Sequence, residues 1–151
     1  MGGQRIITVR DVDGLLASFK EKGIYTIARI VVFKDDLLAT ARPDLAVKTP
    51  NGDLWRDRER LAWVDPFRKE VWNYNIQIAE EAAKLGFDEI QFDYVRFPDS
   101  RSPQFSQPST EDGRVKAIAA FQLPGRERRE ARVVDRGMDG VGHHAANQGL
   151  H

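Results

Sequence analysis

The stretch that most constrains this chain is residues 87–98, FDEIQFDYVRFP. Ile90, Phe92, Val95 and Phe97 are β-branched or aromatic, which suits a packed, pleated surface. Pro98 stops the run, because proline has no N–H for a ladder. A core strand has no need of Asp93, Arg96 or the Tyr94 hydroxyl. An unpaired carboxylate is costly to bury, so these groups belong where the strand emerges. A long helical pattern leads into the strand. Asp65-Pro66 is a helix start, since aspartate caps free N–H groups and proline suits the first helical position. Phe67, Val71, Tyr74, Ile78, Ala82 and Leu85 then recur at spacings of three and four, one apolar stripe on a helix of about five turns. Gly86 is the stop. Helix, short loop and apolar strand make half of a βαβ unit, which predicts a parallel sheet. In such sheets chemistry is placed at the carboxyl ends of the strands.

Composition narrows the function. The 151 residues allow one ordinary domain. Formal net charge is zero, so no bulk field draws the chain to nucleic acid or to an anionic membrane. There is no cysteine, which removes disulfides, thiolate nucleophiles and thiolate metal sites together. No apolar run approaches the roughly 20 residues of a membrane span. The N-terminal MGGQRIITVRD lacks the apolar core of a signal peptide, so neither a span nor a classical export signal is expected, and the compartment stays open.

Upstream of the central unit, Thr8 or Asp11 can cap a helix to about Lys22, with Val12, Leu15, Leu16 and Phe19 on one face and Gly23 as its end. Residues 24–33, IYTIARIVVF, read as a strand buried on both sides. Arg29 interrupts it, and reads first as a structurally paired side chain and second as a catalytic one. Lys34-Asp35-Asp36 follows. The simpler account is a solvated loop in which Asp35 or Asp36 caps a short helix over residues 37–41. The functional account is a first wall of a cleft shared with Asp93. Residues 43–65 form a long connection with a turn at Asn51-Gly52. Trp55 and Trp63 flank its charged run, residues 56–60. Such a loop is either a sugar-stacking lid or is anchored to the core by its tryptophans, and the anchor is the expectation for at least one of them.

After Pro98 a polar loop runs to about residue 108, long enough to be functional. Ser109 or Thr110 then opens a helix whose apolar side is Val115, Ile118, Ala119 and Phe121. From Gln122 the character changes. Residues 122–151 hold all three histidines, five arginines, no lysine and no aromatic, and their apolar residues have no period. This tail is expected to be disordered, and its composition resembles sequence read out of frame. His143-His144 lacks the carboxylates and spacing of a metal site. The RERRE run carries its own glutamates, so it makes no nucleic-acid patch.

Three segments together resemble a known family: RDVDGLLASFKEKGIY at 10–25, ARIVVFKD at 28–35, and the run from residue 44 to 98 that ends GFDEIQFDYVRFP. Over residues 9–121 they are similar to the glycoside hydrolase-like DUF4015 family. The resemblance implies an α/β fold, a (β/α)8 TIM barrel. Residues 24–33 and 89–95 would be neighbouring strands, near the third and fourth. A whole barrel takes roughly 250 residues, so residues 1–121 would be a fragment of less than half. Open sheet edges would then favour self-association.

Carried over residue by residue, Asp93 becomes the candidate catalytic carboxylate. Arg96 would keep it ionised or bind a substrate hydroxyl. Lys34, Asp35, Tyr94, Trp55 and Trp63 are the substrate-binding candidates, with Tyr94 pointing to the face opposite Asp93 in a regular strand. Glycoside hydrolysis needs a second carboxyl group, about 5–5.5 Å away for retention or 6.5–9.5 Å for inversion. Glu89 lies at the wrong end of its strand and Asp99 is a loop candidate, so that partner is expected on a later strand. The expected function is that of a truncated glycoside hydrolase, acting on glycosidic bonds of a polysaccharide in its full-length form and inactive alone. The alternatives are an active hydrolase completed by association of fragments, or a non-catalytic carbohydrate-binding or interaction module using Trp55 and Trp63. The expected partner is a carbohydrate, with no cofactor, metal or nucleic acid. Full-length relatives are expected to be exported or associated with the cell envelope. A phosphate-binding domain is disfavoured because no Gly-rich loop follows either strand.

Overall fold

The computed structural model describes residues 9–100, 102–126 and 131–133. The element order is α1 (Val12–Glu21), β1 (Ile27–Val31), α2 (Asp36–Ala41), a 3-10 turn (Pro43–Leu45), α3 (Lys69–Leu85), β2 (Glu89–Asp93), α4 (Glu111–Arg126) and β3 (Ala131–Val133). The strands form one parallel sheet in the order β1-β2-β3. The parallel sheet expected from the βαβ pattern is therefore present, as part of a TIM-barrel-like wall with helices on one side.

Local signals set several boundaries. Asp11 caps α1 through the Gly14 N–H, and Asp35 caps α2 through the Leu38 N–H. Gly86 ends α3 in the left-handed region, at φ 97°, with its N–H returned to Ala82 and Ala83. Glycine is favoured there because a Cβ is strained at positive φ.

Other boundaries move. α3 begins at Lys69 rather than at Asp65-Pro66. Asp65 is buried and turns the chain instead. Its Oδ1 accepts the Phe67 N–H at 2.9 Å, and its Oδ2 accepts the Ser106 N–H at 2.6 Å. The aspartate thus joins two loops far apart in sequence. β1 is half the length of the apolar run that contains it. Beyond Val31 only Val32 stays on the ladder, through Asp93, while the Phe33 carbonyl accepts from Val64. β2 ends at Asp93 because Tyr94 takes φ 55°.

Residues 43–65 are not irregular. Antiparallel bridges Ala46↔Val64, Lys48↔Leu54 and Arg56↔Ala62 fold them into a doubled hairpin, and Lys48↔Gln104 ties in the loop after Pro98. Val47 and Val64 are fully buried by it.

The core lies between the sheet and its helices. Ile30, Val32, Ile90 and Phe92 pack with Val71 and Ala82 of α3 and with Phe121 of α4. Phe121 is the hub, with ring centroids 5.4 Å from Phe92, 5.6 Å from Phe33 and 6.5 Å from Trp72. Val115, expected on the apolar side of α4, is 63% exposed, and Ala117 is buried instead. On the other face of the sheet, Ile27 and Val31 are exposed.

The boundary expected at Phe121 falls inside α4, and β3 adds to the sheet beyond it. The remainder of the expected disordered tail, His143 and His144 included, lies outside the described residues.

Two substitutions measure these contributions in urea unfolding. Phe121→Ala should cost about 3–5 kcal/mol, as large-to-small changes at packed aromatic sites do, whereas Val115→Ala should stay within about 0.5 kcal/mol. Gly86→Ala meets no neighbouring atom, so only backbone strain should appear, about 1–2 kcal/mol.

Candidate functional site

The parallel register places Val31 opposite Asp93 and Arg29 opposite Gln91, so Arg29 and Asp93 share the face away from the helices. Arg29 Nη2 is ion-paired with Asp93 Oδ2. Asp93 Oδ1 accepts the Tyr94 N–H at 2.8 Å. Asp93 is only 5% exposed, while the Arg29 side chain is 58% exposed. The carboxylate therefore has a partner at each oxygen, which a buried charge requires. The cation beside Asp93 is Arg29, not Arg96 as the resemblance implied.

Tyr94 explains the exchange. Its positive φ ends strand alternation, and its ring packs on Trp63 with centroids 5.8 Å apart. Arg96 follows into the same stack, with Cζ 5.3 Å from the Trp63 ring and 5.4 Å from Tyr94. Such placement over ring faces is a cation–π contact.

Lys34 leaves β1's exit next to this stack. Its Nζ lies 2.9 Å from Asp57 Oδ2, 2.6 Å from Glu59 Oε2 and 5.2 Å from the Tyr94 ring centroid. Burial alone would lower the Lys34 pKa, but the hydrogen bonds to Glu59 and Asp57 and the nearby Asp57 charge outweigh it and raise it above 10.5. Burial likewise pushes Asp57 up. Its bonds from Lys34, the Trp63 indole and the Leu61 N–H prevail and hold it below 3.8. Trp63 is 2% exposed and donates to Asp57 at 3.0 Å, so it is the tryptophan that anchors the loop. Trp55 is half-buried, 6.4 Å from Trp63 edge to face, and donates to Ser102 at 3.3 Å.

These groups line one cleft of about 580 Å³, which brings together Lys34, Trp55, Trp63, Tyr94 and Arg96 of the expected residues. Asp35 and Asp93 are not among them: the Asp35 carboxylate caps α2, and Asp93 is buried at the strand exit, held by Arg29 and the Tyr94 N–H. Asp57, Glu59 and Arg58 line the cleft without having been singled out in the sequence. Their signal was the charged run between two tryptophans, but which of its charges turn inward depends on the hairpin at Arg56↔Ala62. Asp99, a loop candidate, is at the rim and exposed. No group of three or more metal-ligating side chains occurs among the described residues, and no described helix is long and apolar enough to cross a membrane. An aromatic wall with fixed cations suits a polar ligand that has flat apolar faces.

Comparison with known proteins bears on the family and the fold. The family DUF4015, described as "Putative glycosyl hydrolase domain", matches residues 1–148, which takes in most of the segment after Phe121. The crystal structure of a hypothetical protein from Ruminiclostridium thermocellum is 42% identical, with a TM-score of 0.73 over 82% of this chain and 65% of that one. The α-galactosidase TtGalA from Thermus thermophilus is 19% identical, with a TM-score of 0.57 over 82% of this chain and 26% of that one. The glycoside hydrolase domain of PelA from Pseudomonas aeruginosa is also 19% identical, with a TM-score of 0.58 over 82% and 47%. At that identity the last two show the fold alone, and the chain spans less than two thirds of each of these structures. No match was found among the curated proteins. The chain belongs to the DUF4015 family of glycosyl hydrolase-like domains, and its fold is that of part of a glycoside hydrolase TIM barrel.

Proposed function

We propose that this chain is part of a glycoside hydrolase barrel in which Asp93 supplies one of two catalytic carboxyl groups and the tryptophan-lined cleft holds the sugar. The observation that carries this reading is the Asp93 carboxylate: buried, paired with Arg29, and at the carboxyl end of a parallel strand, where barrel enzymes place their chemistry. The likeness in fold to an α-galactosidase and to a glycoside hydrolase domain supports it.

Glycoside hydrolysis needs an acid to protonate the leaving oxygen and a carboxylate to attack the anomeric carbon or activate water. A guanidinium in contact favours charge on Asp93, which suits the carboxylate's part. The second group is not supplied by the other acids already placed. Asp57 and Glu59 are tied to Lys34, Asp35 caps α2, Glu89 accepts the Tyr25 hydroxyl at the opposite end of β2, and Asp99 stands exposed on the loop at the cleft rim, away from the strand ends. Its source is therefore elsewhere in the full barrel, and this chain is inactive alone. The half-buried Trp55 at the cleft favours one second reading, a carbohydrate-binding module without catalysis.

Tryptophan fluorescence and an aryl-glycoside assay separate these outcomes. The expected result is saturable quenching by oligosaccharides, weakened roughly tenfold or more by Trp55→Ala, with no turnover by the chain alone. Turnover that survives Asp93→Asn would overturn the role given to Asp93. A flat titration would overturn the sugar cleft itself.

The same titration should depend on pH through the Lys34–Asp57 pair. Asp57 is held below 3.8, so its contribution is complete above that value and lost as pH falls through its folded pKa. Lys34 is raised above 10.5, so its contribution is complete below that value and lost at higher pH. Binding should hold between these limits and fall outside them. Asp57→Asn should remove the acid-side fall.

A further inference from the structure

The cations lining the cleft are not equivalent. Lys34 is neutralised by Asp57 and Glu59, and Arg56 by Asp36 at 2.7 Å, while Arg58 has no ion pair among the described residues but is exposed to water. Among the described residues, no carboxylate pairs with Arg96. The hydrogen bond recorded for its guanidinium is a long one, from Nη1 to the Phe97 carbonyl at 3.4 Å. Arg96 is half-buried, and the Trp63 and Tyr94 rings fix its position. Asp99, the third carboxylate on the lining, is exposed and forms no ion pair with Arg96. A guanidinium carries five N–H donors in a planar fork. Here the fork is immobilised on aromatic faces, partly removed from water, and left without an anion. Arginine in that state matches a carboxylate bidentately, and little side-chain entropy remains to be lost on binding.

From these observations, and resting on the sugar cleft proposed above, we infer that the cleft recognises an acidic sugar, a uronic acid residue whose carboxylate is bound by Arg96 while Trp55 packs against the ring. A neutral sugar would cover the same guanidinium with hydroxyls, which leaves a partly desolvated charge uncompensated. The volume, about 580 Å³, lies within the ~300–1,000 Å³ range of small-ligand sites and has room for a ring beside the carboxylate.

Calorimetric titration of the chain with a galacturonic acid trimer, the neutral galactose trimer of the same linkage, and inorganic phosphate tests the inference. The acid trimer should bind roughly tenfold or more tightly than the neutral one, as expected for a charged hydrogen-bonded pair. Arg96→Gln should abolish that preference, so that the acid and neutral trimers bind within about twofold of each other. Arg96→Lys keeps the charge over the rings but lacks the fork, so it should also lose most of the preference. Should Arg96→Gln fail to fold, Arg96→Lys decides alone. A wild-type chain without preference, or a preference that survives in the variants, would overturn the acidic-sugar inference and leave the sugar cleft standing. Phosphate binding as tight as the acid trimer would mark a simple anion site and overturn it too. Absence of binding by either trimer would remove the sugar cleft and the inference together.

Discussion

The parallel ladder between β1 and β2 is the constraint on which the site depends. Its register sets Val31 against Asp93, and one further bond, Val32 N–H to the Asp93 carbonyl at 2.9 Å, carries the pairing to the strand exit. A slip of one residue would exchange the faces of one strand. Phe92 would then turn away from Phe121, and Asp93 would turn toward the helices and away from Arg29. Packing of the apolar face and placement of the carboxylate are thus fixed by the same pairing. The hydrophobic pattern that stabilises the sheet also selects the register that places the candidate chemistry.

Beyond the ladder the chain changes strategy. Phe33 passes its carbonyl to Val64, and Tyr94 leaves the strand conformation, so both exits become irregular at the same level. The doubled hairpin of residues 43–65 covers that level and is held by buried contacts at Val47, Val64 and Trp63. Lys34 then pins the hairpin's charged tip to the strand exit through Asp57 and Glu59. Exposed ion pairs contribute little, but Lys34 and Asp57 are both largely shielded and share a hydrogen-bonded network with the Trp63 indole, where such pairs matter more. The result is a rigid wall carrying Trp63, Tyr94 and Arg96.

What could be read in the sequence was what local chemistry decides. Asp11, Asp35 and Gly86 act as caps because the groups they satisfy lie within a few residues. The strands and α3 followed from periodicity. The start of α3 did not, because Asp65 answers to Ser106, 41 residues away. The identity of Asp93's cation did not either. Arg29 and Asp93 are 64 residues apart and meet only through the register, whereas Arg96 was near in sequence and is carried off by the turn at Tyr94. Asp57 was hidden for the same reason: its tie to Lys34 exists only once the hairpin has folded. Trp63 was expected to be either stacking surface or anchor, and its burial makes it the anchor.

The three tryptophans offer a built-in comparison. Trp55 and Trp63 are at the cleft, where their indoles donate to Ser102 and Asp57. Trp72, on α3, donates to the Pro66 carbonyl and packs against Phe121, outside the cleft lining. The central claim, that the exits of β1 and β2 form the sugar-binding surface, is tested most directly by following the indole and backbone N–H resonances during titration with an oligosaccharide. The account predicts saturable shifts at the Trp55 and Trp63 indoles and at the Lys34, Tyr94 and Arg96 amides, with Trp72 unchanged. Shifts centred on Trp72, or spread without regard to the cleft, would contradict it.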